Sequence, residues 1–456
     1  MGWQDVAWRK KPFLNDLMPG PSTTGDISLY RVLRTWWPLA LSWLLMTAEP
    51  AALTAVVARL PDPQINLAAY GSVASPLIGI LQAPILTLLS VSTSLSKDWD
   101  SYRKGRRLMF LVAGSLTLLY IIVVFSPLYY VVVENIIGAP AEIIEPARTC
   151  MMLGVPWTFA VAYRRFHQGV LIRFDHSRSV TMGTILRFIA DAIVLTIGYL
   201  IGSIPGAIVA TIMMLAGVTT DAVYVGRRVQ PVLQNEVKPA PPPNPPLSVN
   251  DLILFYLPLA VTPFLNMLIR PIGSAALSRM PDPLLSLAIY PVLMSLSNLV
   301  LTVGWSYNEV VNALIDQQGA KRALMRFAAI LITLETSLMV LIAATPLAKF
   351  WFGQVSGLDA ESAHLASQAF WFLIPLGILS PIGSMLSGAI LHSRKTRGIT
   401  EGMAIYLIVF AIGLWLGGNF LQVNGLYVVV CTSVLSSMCQ IGWLWIRGHK
   451  AFQRIQ

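Results

Sequence analysis

The chain has 456 residues, of which 55% are hydrophobic and only 12% charged. That is about half the charged share of a soluble domain. With a mean hydropathy of +0.66, it excludes both a water-soluble globule and a disordered chain. Apolar residues run on without alternation, as in 108–124 and 405–416, so the spanning elements are helices and not strands of a barrel. The formal net charge of +10 would suggest nucleic acid in a soluble protein. In a membrane protein the positive-inside rule is the plainer cause, and no nucleic-acid partner is expected. Cys150, Cys431 and Cys439 form no disulfide framework. Cys431 and Cys439 lie two turns apart on one helical run and cannot bridge.

In chain order, a polar and basic segment (1–34) carries no cleavable signal pattern. Helix-length apolar runs then follow at 35–58, 67–95, 108–133, 147–172, 181–201 and 204–225. Six more stand at 252–277, 284–314, 323–344, 363–391, 399–416 and 426–446. The expected organisation is an N-terminal six-helix bundle (35–230), a linker (231–249), a C-terminal six-helix bundle (250–447) and a tail (448–456). The linker contains KPAPPPNPP, which favours extended polyproline II and acts as a semi-rigid spacer.

Charge placement fixes the expected topology. Lys97, Arg103, Lys104, Arg106 and Arg107 follow the second run, and Arg227, Arg228 and Lys238 follow the sixth. Lys321 and Arg322 follow the eighth, and Arg394, Lys395 and Arg397 the tenth. The opposite loops hold only Arg59, Arg148, Arg279 and Lys349, together with Asp62, Glu134, Glu142, Glu145, Asp282, Asp359 and Glu361. Both termini are therefore expected to be cytoplasmic.

The two halves repeat. Arg59-Leu-Pro-Asp-Pro63 recurs as Arg279-Met-Pro-Asp-Pro283 at an offset of 220, and Pro38-Leu-Ala40 recurs as Pro258-Leu-Ala260. Further on, Pro156 matches Pro375 and Gly169 matches Gly388 at an offset of 219. An even number of helices per half makes this a parallel repeat about an axis along the membrane normal. Such repeats surround a central site and transport by rocking.

Ionisable residues at membrane depth are costly and face a cavity or a partner. Glu49 stands beside Pro50, and Arg270 stands beside Pro271 at nearly the equivalent position of the second half. Either the two pair across the bundles, or both line the cavity, with Arg270 holding an anion and Glu49 coupling an ion or gating. Arg164 and Arg165 lie deep in the fourth run, about 100° apart in direction. Each either faces the cavity or snorkels to the interface. Guanidinium binds carboxylate and phosphate bidentately, so Arg270, Arg164 and Arg165 suggest an anionic cargo. Asp191, Asp221, Glu309 and Glu335 are coupling carboxylates or structural partners of Arg164, Arg165 or Arg187, with the structural role leading for Asp221 and Glu309 the better functional candidate. Trp305, Tyr307 and Asn308 flank Glu309 and suit the lining of a polar pocket. His167 is expected to be a hydrogen-bonded packing residue. No Walker A loop and no Cys/His or HExxH cluster occurs, so neither an ATP motor nor a bound metal or cofactor is expected.

Two six-helix halves with basic even-numbered loops resemble the multidrug/oligosaccharidyl-lipid/polysaccharide exporter superfamily and are MATE-like. Within it, Trp36-Trp-Pro-Leu-Ala-Leu41, Leu67-Ala-Ala-Tyr-Gly71, Arg270-Pro-Ile272, Tyr290-Pro291 and Gly304-Trp305 with Glu309 resemble the progressive ankylosis protein family. The resemblance implies an all-α, V-shaped, twelve-helix fold in the cell membrane. It also implies export of small organic or phosphorylated anions of the citrate, ATP or pyrophosphate class. Glu49, Arg270 and Glu309 would then match charged positions of the family's cavity. The expected protein is a monomeric, non-enzymatic secondary transporter coupled to Na⁺ or H⁺. The competing readings are a lipid-linked oligosaccharide flippase, a cation-coupled multidrug antiporter and a non-transporting scaffold.

Overall fold

The computed structural model describes residues 28–453 apart from 242–246, 316, 318, 393–396 and 422. Most of the N-terminal segment, the PPNPP core of the linker, Arg394, Lys395 and the last three residues lie outside the described residues. Among those described there are helices and no strand.

Twelve helical passes follow one another: α1 (Leu29–Val57), α2 (Pro63–Leu95), α3 (Trp99–Phe125), α4 (Ala141–Arg173), α5 (Ser177–Ile201) and α6 (Gly206–Val237), then α7 (Val249–Leu277), α8 (Pro283–Leu314), α9 (Ala320–Ala344), α10 (Ala360–Trp371 continued by Pro375–His392), α11 (Arg397–Phe420) and α12 (Gly425–Gln453). Ten described helices are long and apolar enough to cross a membrane, and α4 and α7 complete the set. Local chemistry sets many of the ends. Ser28, Asp98, Ser248 and Asp359 cap α1, α3, α7 and α10 by accepting backbone N–H bonds. In both Pro-Asp-Pro turns the Asp (62 and 282) takes a left-handed conformation, and the following Pro opens the next helix. Short helical segments, Leu128–Ile137 after α3 and 347–355 after α9, occupy equivalent places in the two halves.

Each half forms one lobe. In the first, α6 packs on α4 and α5, and α3 packs on α4; in the second, α12 packs on α10 and α11. The lobes meet crosswise, with α1 along α8 and α9 and α7 along α2. At the crossing, Gly71 faces Pro291, its own repeat equivalent, and Ser72 Oγ donates to Leu287 O at 2.5 Å. The terminal-side half of α1 is held to the second lobe. Trp36 Nε1 donates to Val303 O at 3.2 Å, and its indole meets Phe327 edge-on at 5.3 Å. The result is the two-lobe, all-α architecture that the repeat implies.

Candidate functional site

Six charged side chains converge inside the first lobe. Arg187 on α5 grips Glu49 on α1 with one Nη at 2.5 and 2.7 Å from the two carboxylate oxygens. Its Nε stands 3.5 Å from Asp191, one turn further along the same helix. Arg164 on α4 donates to Asp221 on α6 at 2.8 Å, and Gln168 donates to the same oxygen at 3.3 Å. Arg164 and Asp221 are almost fully buried. A buried pair of this kind is costly to break, because removing one partner strands the other charge.

Two glycines make room for these acids. A Cβ on Gly217 of α6 would collide with the Asp191 carboxylate, and one on Gly183 of α5 would collide with that of Asp221. Each helix of the α5–α6 pair therefore sends a carboxylate into a glycine notch of the other.

Arg165 is the remaining cation of the cluster. It lies within electrostatic reach of Arg164, Arg187 and Asp221. Its Nε is buried without a partner, and no hydrogen bond or ion pair reaches the side chain among the described residues. Neither arginine of the pair snorkels: both are held inside the lobe.

Arg270 on α7 does not pair with Glu49, whose partner is Arg187. Its side chain is exposed and has no partner among the described residues. It lies within electrostatic reach of Tyr70 and Tyr290, the repeat-related tyrosines where the lobes cross. Glu49 and Asp191 act on the same Tyr70 hydroxyl. Arg270 and the acids of the first-lobe cluster thus lie within electrostatic reach of the same tyrosine.

The other expected residues fall in two places. Glu309 is exposed near the terminal side and accepts from Trp43 Nε1 of α1 at 3.1 Å, a contact between the lobes. Tyr307 is fully buried in the second lobe, and its hydroxyl donates to Leu324 O at 2.7 Å. Trp305 is half-buried against the core shared by the lobes, and the Asn308 backbone carbonyl lies against Gly388 of α10. These three therefore stand apart from the arginines. Glu335 on α9 is 1% exposed. It accepts from the Gly304 N–H, while the nearby Ser380 hydroxyl donates to Leu301 O at 3.2 Å. Its Oε2 has no partner, and no cation pairs with it among the described residues.

Sequence reasoning missed two features. One is Arg187 as the ligand of Glu49; its signal was the Arg187/Asp191 spacing on one helix face. The other is a symmetric pair of clamps on the side away from the termini. Arg279, at the end of α7, donates to Ile137 O, Asn135 O and Ile136 O of the first lobe at 2.8, 2.9 and 2.6 Å. Arg59, its repeat equivalent at the end of α1, donates to Val355 O at 2.7 Å and to Gln354 O of the second lobe. Each arginine fills the orphan carbonyls at the C-terminus of the other lobe's short helix. The lobes are thereby tied shut on that side.

No family model matches the chain, and no curated protein matches it in sequence. Solved structures match its fold over almost the whole length. An inward-facing multidrug resistance MATE family transporter of the MOP superfamily superposes with a TM-score of 0.69 at 14% identity, covering 92% of this chain and 99% of the other. A MOP superfamily transporter from Pyrococcus furiosus, described as having a binding pocket of reverse polarity, superposes with a TM-score of 0.57 at 11% identity, covering 91% and 94%. The lipid II flippase MurJ in an inward closed conformation superposes with a TM-score of 0.51 at 12% identity, covering 90% and 89%. The chain therefore has the MATE transporter fold.

Proposed function

We propose that the chain is a secondary active transporter that moves small organic or phosphorylated anions, of the citrate, ATP or pyrophosphate class, by alternating access between its two lobes. The observation that carries this reading is the pair of uncommitted guanidinium groups, Arg165 and Arg270. Arg187 serves both Glu49 and Asp191 and Arg164 serves Asp221, so the direct ion pairs leave Arg165 and Arg270 for a cargo. A cationic drug gains no partner from an unpaired guanidinium, whereas an anion gains charge-assisted hydrogen bonds. The segments that resemble the progressive ankylosis family point the same way, and the reverse-polarity pocket described for the Pyrococcus structure is in keeping with such a difference between relatives.

Coupling is assigned to Glu335. An isolated carboxylate in a closed, dry site costs several kcal/mol. The Gly304–Ser380 pocket must therefore take up a proton or Na⁺ when it closes and release it when it opens. Glu335 packs where α8 is interrupted between Trp305 and Tyr307, so occupancy there bears on the bend of α8. Opening of the Arg59 and Arg279 clamps would expose the site to the opposite face. By the positive-inside rule the termini are cytoplasmic and the clamps external.

The test is a flux screen in proteoliposomes loaded with citrate, ATP, pyrophosphate, a cationic dye or a lipid-linked sugar, with and without Na⁺ and pH gradients. Gradient-dependent flux of an anion and none of the dye is the expected result. Flux of the dye or of the lipid-linked sugar alone would overturn the reading.

A further inference from the structure

A second polar site lies in the first lobe, on its terminal side and away from the inter-lobe space. It is a hollow of about 300 Å³ between α3, the end of α4 and the last turn of α6. Its floor is an aromatic shelf: Trp99 and Tyr102 stack with centroids 5.4 Å apart. Lys238 Nζ stands 5.1 Å above the Trp99 ring, and the Arg106 guanidinium 5.8 Å from the Tyr102 ring.

The arrangement is built from behind. His167 is buried, with Nδ1 2.8 Å from Tyr163 O and Nε2 3.4 Å from the Tyr102 hydroxyl. Because a carbonyl only accepts, Nδ1 carries the proton and Nε2 accepts from Tyr102. The Arg106 guanidinium lies beside this tyrosine, 5.8 Å from its ring centroid. The Tyr102 ring against which the arginine lies is therefore held in place from the core.

No carboxylate lines the hollow. The nearby acids are committed, Asp100 to Lys104 at 2.6 Å and Glu236 to His176 at 2.6 Å. Neither Arg106 nor Lys238 has an acidic partner among the described residues. Nor is the site a by-product of the repeat, since Tyr163 and His167 have Ile382 and Leu386 at the equivalent positions of the second lobe.

Two fixed cations over aromatic faces, with no counter-charge, fit a phosphate ester. The outer edge of the hollow selects the source. Phe110, one turn along α3 from Arg106, lines it and is 46% exposed; its ring packs at a tilt against Phe159 of α4 with centroids 5.8 Å apart. From the cations toward the bilayer the wall turns apolar within about 6 Å, the rise of four helical residues. That is the step from headgroup to acyl chain.

We propose that this hollow binds the headgroup phosphate of an anionic glycerophospholipid from the leaflet on the terminal side. The acyl chains lie along Phe110 and Phe159. Lys238 is the residue at which α6 gives way to the inter-lobe linker, so a bound lipid pins the start of the linker to the first lobe.

The test uses the full-length protein, delipidated in detergent, titrated separately with dioctanoyl phosphatidylglycerol, dioctanoyl phosphatidylcholine and inorganic phosphate. Phosphatidylglycerol is expected to bind saturably at one site per chain. Affinity should fall about fivefold in Lys238→Gln and about thirtyfold in Arg106→Gln/Lys238→Gln. Lys238 lies beyond the helix, so its single variant keeps the fold. Arg103→Gln/Arg107→Gln, equally basic but outside the hollow, should bind as the parent does. Equal losses in the two double variants would overturn the site. Phosphatidylcholine binding as tightly as phosphatidylglycerol, or inorganic phosphate matching it, would overturn the lipid assignment.

Discussion

Removing the two clamps, Arg59→Gln with Arg279→Gln, should open the side of the molecule away from the termini. Together they donate five hydrogen bonds between the lobes, two from Arg59 and three from Arg279. Both guanidinium groups reach solvent, so the low end of the net range for a hydrogen bond applies, about 0.5 kcal/mol each. The five bonds then hold the closed arrangement by about 2.5 kcal/mol, and their loss shifts the closed-to-open equilibrium roughly seventyfold. Spin labels report this directly. With Cys431→Ser and Cys439→Ser removing the exposed native thiols, labels go on Glu134→Cys of the first lobe and Glu361→Cys of the second. Electron–electron resonance of the parent should give one short distance. The double variant should add a longer population that dominates. Superimposable distributions in parent and variant would refute the idea that these arginines hold the lobes together.

Glu49→Gln leaves Arg187 with only the longer contact to Asp191, and the thermal midpoint in detergent should fall as about 2 kcal/mol is lost; an unchanged midpoint would mean that the pair carries no stability. Gly217→Val forces a side chain into the Asp191 carboxylate and should cost about 1–3 kcal/mol by overpacking α5 against α6, read as lower yield of monodisperse protein. Val at Gly442 of α12 in the other lobe, whose Cβ meets nothing within 4 Å, should be silent by the same measure. Glu335→Gln keeps the shape of the Gly304–Ser380 pocket but cannot give up a proton. It should abolish the dependence of flux on a pH or Na⁺ gradient while leaving exchange of cargo intact, and a retained dependence would remove Glu335 from coupling.

Much of the architecture was legible before any coordinates. Helix count follows from the length of the apolar runs, and the pairing of the lobes follows from the Arg-x-Pro-Asp-Pro repeat, whose two copies take the same left-handed turn at Asp62 and Asp282. The partnerships of the buried charges were not legible. Glu49 and Arg187 lie 138 residues apart, and their meeting depends on how α1 and α5 rotate and tilt. That is settled by packing, such as the glycine notches of α5 and α6, and not by spacing along the chain. Tyr307 shows the same limit. Its neighbours Trp305, Asn308 and Glu309 read as one polar patch, but α8 breaks at Ser306, and Tyr307 turns into the second lobe to meet Leu324 O. Arg59 and Arg279 were counted only as the minority charge of the acidic loops. Their recurrence in both copies of the repeat was the signal that they do something specific.

The central claim is that Arg165 and Arg270 hold an anionic cargo, and counterflow of labelled citrate and pyrophosphate in proteoliposomes tests it most directly. The parent should exchange at least one of the two. Arg270→Ala, at an exposed and unpaired position, should fold normally and lose exchange by at least about a hundredfold, as expected when a charge-assisted contact to the cargo is removed. Undiminished exchange by a well-folded Arg270→Ala protein would contradict the anion site.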